Sequence, residues 1–487
     1  MRCLTLADAL RQRGAQTRFV SRTLPEYLRS MLAARRHQYI SLDRRSIEAI
    51  SAGPAHAHWL GISQEADAQE SIQALSDQSW DWLLVDHYAL DARWETALRQ
   101  TTKNILAIDD LADRGHDCDV LLDQNFYSDM NARYAGRVPM HCRLLLGPRY
   151  ALLGEEYRQI REQVKPRAGP VKRVLVFFGG VDANNYTGCA LEALINLSIE
   201  GLDIDAVIGA MHPKRELIEA ICAQHQFGCH VQTGRMAELV AAADLAIGAG
   251  GSATWERCCL GLPTFSICTA ENQARQIAEA ASEGLLYAPE IEDDLIHAIK
   301  RHLCALLEND YLRRALSRNA MQAVDGRGVL RVIGSLGCSN ITIRLASEDD
   351  SRKLFEWRNH PKIREVSRNS GVISWEDHQE WFASVLTSPN RLLLVGQRGD
   401  VPVGVVRFDI QENEAEVSIY VVPDIEESGL GRDLLQTAER WFAGNRPGVG
   451  KVRAHVLGNN ARSRRLFLGA GYQLESTCYA KRLRQSD

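Results

Sequence analysis

The sequence lacks a run of 18 apolar residues, a C-x-x-C and any excess of basic charge. The first absence argues against a membrane-spanning helix. Its 12 cysteines are scattered, with Cys258 and Cys259 adjacent, and none shows metal or disulfide-framework spacing, which points to reduced thiols. A formal net charge of -5 leaves nothing basic enough to imply a nucleic-acid partner. The opening MRCLTLADALRQRG lacks the apolar core and cleavage site of a signal peptide, so a cytoplasmic protein with no membrane partner is expected. No fixed-period repeat or low-complexity tract is present.

What is present is 45% hydrophobic residues over 487 positions, enough for roughly three domains of about 150 residues. TRFVSR, DWLLVDH, NILAIDD and DVLLDQN alternate with helical stretches, the sign of a parallel α/β sheet. The basic stretch RQIREQVKPRAGPVKR reads as a hinge. A second α/β unit follows, with strands at RVLVFFG, DIDAVIGA, CHVQTG and DLAIGAGG. From ITIRLASEDD onward, helical LFEWRNH and WEDHQEWFASVL mix with antiparallel-looking RLLLVGQR, VPVGVVRFDI and AEVSIYVVP, which suits an α+β domain. The expected domains are 1–165, 166–336 and 341–487. The chain opens in a helix at Met1-Arg2-Cys3-Leu4, where a doubly wound domain would first show a strand and a glycine-rich loop.

In DLAIGAGGSATWE, glycines at 248, 250 and 251 follow an apolar strand, and Ser252, Thr254 and Glu256 open a helix. Small residues let backbone amides approach a diphosphate, and a carboxylate one turn in can accept from ribose hydroxyls. A glycine-rich turn with an ordinary cap is the bland alternative. Gly179 and Gly180, followed by Asp182, Asn184 and Asn185, form a second loop at a strand end, which a plain left-handed turn explains equally well.

VDHYALDARW, LAIDDLADRGHDCDVLLDQN, LLLGPRYALL, FFGGVDANN, GAGGSATWE and TAENQ, in that order, resemble the UDP-2,4-diacetamido-2,4,6-trideoxy-β-L-altropyranose hydrolases of pseudaminic acid biosynthesis, over residues 1 to about 336. The resemblance implies two Rossmann-like domains in a glycosyltransferase-B-like arrangement. The sugar side lies in 1–165 and UDP is held by 166–336. It places Gly250, Gly251, Ser252, Thr254 and Glu256 on UDP, and Tyr88 and Asn272 at the sugar. Read from the residues alone, Tyr88 is a core tyrosine and Asn272 a helix cap. The family carries a G-x-G-H ahead of R-C-L-x-L-A, with the histidine as general base. Here R-C-L-T-L-A starts at Arg2, so the first strand, the loop and that base lie outside the sequence, and slow hydrolysis is expected. His87 has a suitable titration range, but its place at a strand end does not fix whether it faces the cleft.

In DIEESGLGRDLLQTAERWF, Gly429 and Gly431 introduce an amphipathic helix whose free amides can cradle a pyrophosphate. VRAHVLGNNARSRRLFLGAGY then supplies a strand, an asparagine pair and a further helix. Together these resemble the GCN5-related N-acetyltransferase (GNAT) family over about 341–483. EWRNHPKIR and WEDHQEWF are similar to the pseudaminic-pathway acetyltransferases that modify a sugar 4-amine. The resemblance implies acetyl-CoA as co-substrate, bound at Gly429, Leu430, Gly431, Arg432 and Asn460, and no metal. Trp357, Arg358, Asn359 and Arg364 fall on the sugar-nucleotide side, and Glu416 is placed to take the amine proton through water. A core tryptophan and solvated arginines are the alternative. Glu426 stands at the usual Arg/Gln position and Phe467 at the usual tyrosine, so thiolate protonation falls to Tyr472, Tyr479 or water. His378 reads as a packing histidine. The function expected is N4-acetylation of a UDP-4-amino-4,6-dideoxy-N-acetyl-altrosamine and hydrolytic release of UDP from the diacetamido sugar. The alternatives are a glycosyltransferase of the lipid II type, or a non-catalytic nucleotide-sugar-binding half serving the acetyltransferase.

Overall fold

The computed structural model describes residues 1–42, 56–291, 294–337, 341–398, 401–423, 425, 429–457 and 460–476, with the side chain of Asn272 outside that description. The chain divides into two compact units, Met1–Val332 and Ile333–Asp487.

The N-terminal unit is built on parallel sheets. β1 (Arg18–Ser21) pairs with β2 (Gln38–Ser41). β3 (Trp80–Val85), β4 (Thr102–Ile108), β5 (Val120–Asp123) and β6 (Arg143–Leu146) form a second sheet in that order. β7 (Arg173–Phe177), β8 (Asp203–Ile208), β9 (Gly228–Val231), β10 (Leu245–Ala249) and β11 (Thr264–Ile267) form a third, ordered β11-β10-β7-β8-β9.

Parallel strands buried on both faces need apolar residues at successive positions. β7 meets this need. Val174 and Val176 pack beneath the helices Tyr186–Leu197 and Leu295–Glu308, while Leu175 faces Trp255, Cys258 and Leu260 on the other side. All strands of the third sheet run parallel, and their order of addition reverses between β7 and β10, where Phe177 is level with Gly248. Loops leaving two such strands diverge around a crevice, the usual ligand position in an open α/β sheet.

The stretch read as a hinge starts later than expected. Glu155–Arg161 is helical, and Tyr157 and Ile160, three apart on one face, enter the core beside Trp255 and Cys259. That apolar pair turns RQIR into the end of a packed helix. The helix Gly328–Ser335 then closes back on the first half: a Cβ at Gly328 would lie 2.1 Å from the Ala151 carbonyl, and Arg331 donates to the Arg149 carbonyl at 2.7 Å.

The C-terminal unit has one sheet, β12 (Ile341–Leu345), β13 (Arg391–Arg398), β14 (Val401–Gln411), β15 (Glu414–Val421) and β16 (Lys451–Ala454), in that spatial order. All neighbours are antiparallel except β15 and β16. Ala415 and Val417 face the helix Leu430–Asn445 through Leu434 and Ala438, and Tyr420 packs on the opposite face with Leu354 and Phe382. Among the described residues no helix is long and apolar enough to cross a membrane.

Candidate functional site

In the N-terminal unit both glycine loops read from the sequence leave adjacent strands. A Cβ at Gly248 would stand 2.3 Å from the Phe177 carbonyl, so the ends of β7 and β10 meet through backbone, and one at Gly209 would stand 1.9 Å from the Gly180 carbonyl, so the loops after β7 and β8 do so too. Gly250 is forced by Ile277, whose Cδ1 lies 2.3 Å from where its Cβ would be, and Gly251 has φ 115°. Ser252 is exposed at the start of the helix Ala253–Cys259. Thr254 is buried, with its hydroxyl turned to Arg257 at 3.3 Å. Arg257 is itself buried and donates to the Ala249 carbonyl at 2.7 Å, bracing the glycine loop from below.

Glu256 is half-buried and accepts the Tyr157 hydroxyl at 2.8 Å; burial pushes its carboxyl up, against that hydrogen bond. In the loop after β7, Gly179 has φ 96° and Asn185 φ 58°. Asp182 accepts from the Tyr186 and Thr187 amides at 2.9 and 2.8 Å and lies 3.3 Å from His212. Its carboxylate is therefore spent on capping the next helix.

Across the cleft, Tyr88 follows β3 and donates to Asp110, just after β4, at 2.7 Å. Arg2 bridges Asp86 at 2.7 Å and Asp110 at 3.1 Å. His87 is half-buried, accepts the Ala89 amide at Nδ1, and has its pKa lowered by burial. Tyr127 and Arg133 both donate to the Asp110 carbonyl, and Arg275 lies 5.3 Å over the Tyr127 ring. Arg275 belongs to the helix Ala274–Ser282, which also supplies Ile277 beneath Gly250. Asn272 lies in the single turn Glu271–Gln273 ahead of that helix; its side chain is outside the described residues. Trp255 donates to the Asn125 amide oxygen at 3.0 Å, a further tie between the two carboxyl edges.

Beneath the Asp110 loop sits a buried charged cluster. His116 Nδ1 is 2.8 Å from Glu95, its Nε2 is 3.7 Å from Asp109, and Arg114 is 2.8 Å from Asp109. Burial pushes His116 down, but Asp109 and Glu95 outweigh it and hold its pKa at about 9. Burial pushes the neighbouring Asp123 up to about 7, although the Asn125 amide and the Tyr134 hydroxyl both donate to it.

In the C-terminal unit, β15 and β16 pair from Glu414 to Val417, and β15 runs on to Val421 while β16 ends at Ala454. The open edge past Val417 lies ahead of Gly429, which has φ 93° and starts the helix Leu430–Asn445. Leu430 is buried in the core, Gly431 sits near Val421 and Leu466, and Arg432 covers Gly469. Asn460 accepts the Ser463 amide at 3.0 Å and caps the helix Ala461–Gly469. Glu426 and Tyr479 lie outside the described residues.

Glu416 projects from β15 beside the open edge, opposite Asp409, and pairs with Arg368 at 2.7 Å. The neighbouring EWRN residues are engaged in shaping the adjoining loop. Asn359 accepts from and donates to the Ile373 backbone at 2.9 and 3.0 Å, Arg358 donates to the Asn369 carbonyl at 2.7 Å, and Arg364 donates to the Asn359 carbonyl at 3.1 Å. Trp357 is half-buried against Leu354, Phe382 and Leu393. His378 is buried among Phe355, Trp375 and Phe382 and bonds the Ser351 carbonyl, as a packing histidine does. Phe467 is buried, and Tyr472 donates a hydrogen bond from its hydroxyl to Glu439 on the helix Leu430–Asn445, so that hydroxyl is already engaged.

Asp110, Tyr157, Arg257 and Arg368 escaped the sequence reading. The Asp109-Asp110 pair at the end of an apolar strand was a usable signal for the first. Tyr157 and Arg368 act through partners 99 and 48 residues away, which no local pattern encodes, and Arg257 meets Thr254 one helical turn away but also reaches the Ala249 carbonyl. Among the described residues no group of His, Cys, Asp or Glu is arranged to hold a metal ion.

Comparison with known proteins agrees with this division. The acetyltransferase (GNAT) domain family matches residues 340–473. The spore coat polysaccharide biosynthesis protein SpsG of Bacillus subtilis is 25% identical over 57% of this chain and 83% of its own. The UDP-2,4-diacetamido-2,4,6-trideoxy-β-L-altropyranose hydrolase of Campylobacter jejuni is 30% identical over 24% of this chain and 42% of its own. The acetyltransferase PseH of the same species is 23% identical over 23% of this chain and 71% of its own. Among solved structures, MurG of Acinetobacter baumannii covers 69% of this chain and 94% of its own at 15% identity, with a TM-score of 0.47. The C-terminal unit is a GNAT acetyltransferase domain, whose co-substrate is acetyl-CoA, and the chain is distantly related to enzymes of sugar biosynthesis.

Proposed function

We propose that the chain carries out two steps of nonulosonate biosynthesis: acetyl transfer to the 4-amine of a UDP-4-amino-4,6-dideoxy-N-acetyl-altrosamine, and release of UDP from the resulting diacetamido sugar by water. The observation that carries the first step is the open edge of β15 past Val417, with Glu416 just before it and Gly429 beyond it. A thioester entering there has its carbonyl beside unpaired strand amides and its pyrophosphate at Gly429, Leu430, Gly431 and Arg432. The sugar amine attacks the thioester carbon, the C–S bond breaks, and the amine proton passes through water to Glu416, which Arg368 orients. With Phe467 apolar and Tyr472 bonded to Glu439, the thiolate takes its proton from Tyr479 or water; a thiol of pKa near 8.5 is a good enough leaving group for either.

For the second step, the reading rests on the contacts that join the two carboxyl edges, Trp255 to Asn125 and Arg275 to Asp129. Gly250, Gly251, Ser252 and Glu256 hold UDP, and Tyr88 and Asn272 hold the sugar, with 1–165 as the sugar half and 166–336 as the nucleotide half. Thr254 contributes by fixing the loop through Arg257. Water attacks the anomeric carbon, the C–O bond to UDP breaks, and configuration inverts. The test is to supply acetyl-CoA and the UDP-4-amino sugar together and to follow acetylated sugar and free UDP separately. Sugar-dependent release of coenzyme A without UDP would leave the nucleotide-sugar-binding reading for the N-terminal unit.

A further inference from the structure

Trp59 is 53% exposed, an unusual position for the largest apolar side chain. It does not stand alone. Its ring lies 4.6 Å from His56 and 5.8 Å from Tyr88, and His56 is 5.7 Å from Tyr88, so three rings tile one surface. A scattered surface aromatic needs no explanation, but a contiguous patch beside the carboxyl end of a parallel strand does. The Tyr88 hydroxyl is tied to Asp110, and Arg2 bridges Asp110 and Asp86, so the rings are bordered by an Asp-Arg-Asp group that carries both acceptors and donors. From Asp110 the contacts run through Tyr127 to Arg275, on the helix that buttresses Gly250. The aromatic patch and the glycine loop are thus two ends of one continuous wall.

We propose that Trp59, with His56 and Tyr88, is the platform on which the pyranose ring of a nucleotide-linked sugar stacks. A pyranose face carries C–H groups with slight positive charge that pack on the electron-rich face of an aromatic ring, and its rim carries hydroxyls that seek carboxylates. The patch offers both. A peptide or lipid occupant would want a longer apolar surface without charged borders. The inference rests on the nucleotide-sugar reading of the N-terminal unit and adds residues and a mode of recognition to it.

The test is calorimetry on the full chain with UDP and with UDP-N-acetylglucosamine as probe, for the unsubstituted protein, Trp59→Ala and Trp59→Phe. The unsubstituted chain should bind the sugar nucleotide more tightly than UDP. Trp59→Ala should weaken the sugar nucleotide about tenfold and leave UDP unchanged, and Trp59→Phe should restore most of the loss, because a ring remains. Exposure of Trp59 means that the core survives either change. UDP binding with a sugar-nucleotide affinity indifferent to Trp59 overturns the platform alone. Failure of the unsubstituted chain to bind UDP overturns the nucleotide reading, and the platform with it.

Discussion

Tyr157 donates its hydroxyl to the carboxylate of Glu256 at 2.8 Å, joining a residue near the end of the first half to the helix that follows the glycine loop. The carboxylate sits in a half-buried place where burial alone favours its neutral form. The phenol supports the charged form, which is the one that accepts from a ribose.

Tyr157→Phe should therefore weaken UDP binding by about 1 kcal/mol, the scale of one hydrogen bond, and Glu256→Ala by about 1.5–3 kcal/mol. Calorimetric titration with UDP checks both. Equal affinity for UDP in Glu256→Ala and the unsubstituted chain would show that Glu256 serves only to anchor Tyr157.

Glu416 is expected to matter to kcat and not to the KM for acetyl-CoA. Glu416→Gln keeps the shape and loses the base, so acetyl transfer should fall by about 10²–10⁴-fold. Arg368→Ala should produce a smaller loss in kcat by freeing the Glu416 side chain. A rate that is unmoved in Glu416→Gln at neutral pH would mean that the amine reaches the thioester already deprotonated.

The His116 cluster makes the stability of the N-terminal unit fall on the alkaline side. Its folded pKa of about 9 lies above the ordinary value of 6.5, so its contribution is complete below pH 6.5 and is lost as pH rises towards 9. Denaturant titrations between pH 6.5 and 9 should show that decline. His116→Gln should flatten it and cost about 3–5 kcal/mol at neutral pH, because Glu95 is left buried without its cation while Asp109 keeps only Arg114.

Much of this architecture was legible in the residues. The apolar runs at β7, β8 and β10 sit on strands buried on both faces, and AEVSIYVVP fills β15 with inward Ala415 and Val417. β2 and β11 are four residues each and too short to show a period. RQIR was misread because its polar residues hid the Tyr157 and Ile160 pair. At the sites, glycine spacing located both loops but not their relations. That Gly179-Gly180 and Gly250-Gly251 leave neighbouring strands is a matter of sheet order, and sheet order is set by packing between segments about 70 residues apart. Nor does spacing show that Asn359, three positions past Glu356 on one helix, spends its amide on Ile373.

The most direct measurement of the central claim is the release of free thiol when the full chain is mixed with acetyl-CoA and a UDP-4-amino-4,6-dideoxy sugar. One thiol per sugar acetylated is expected, with no release without the sugar and loss of release in Glu416→Gln. Thiol release that proceeds equally with any small amine and ignores the nucleotide-linked sugar would contradict it.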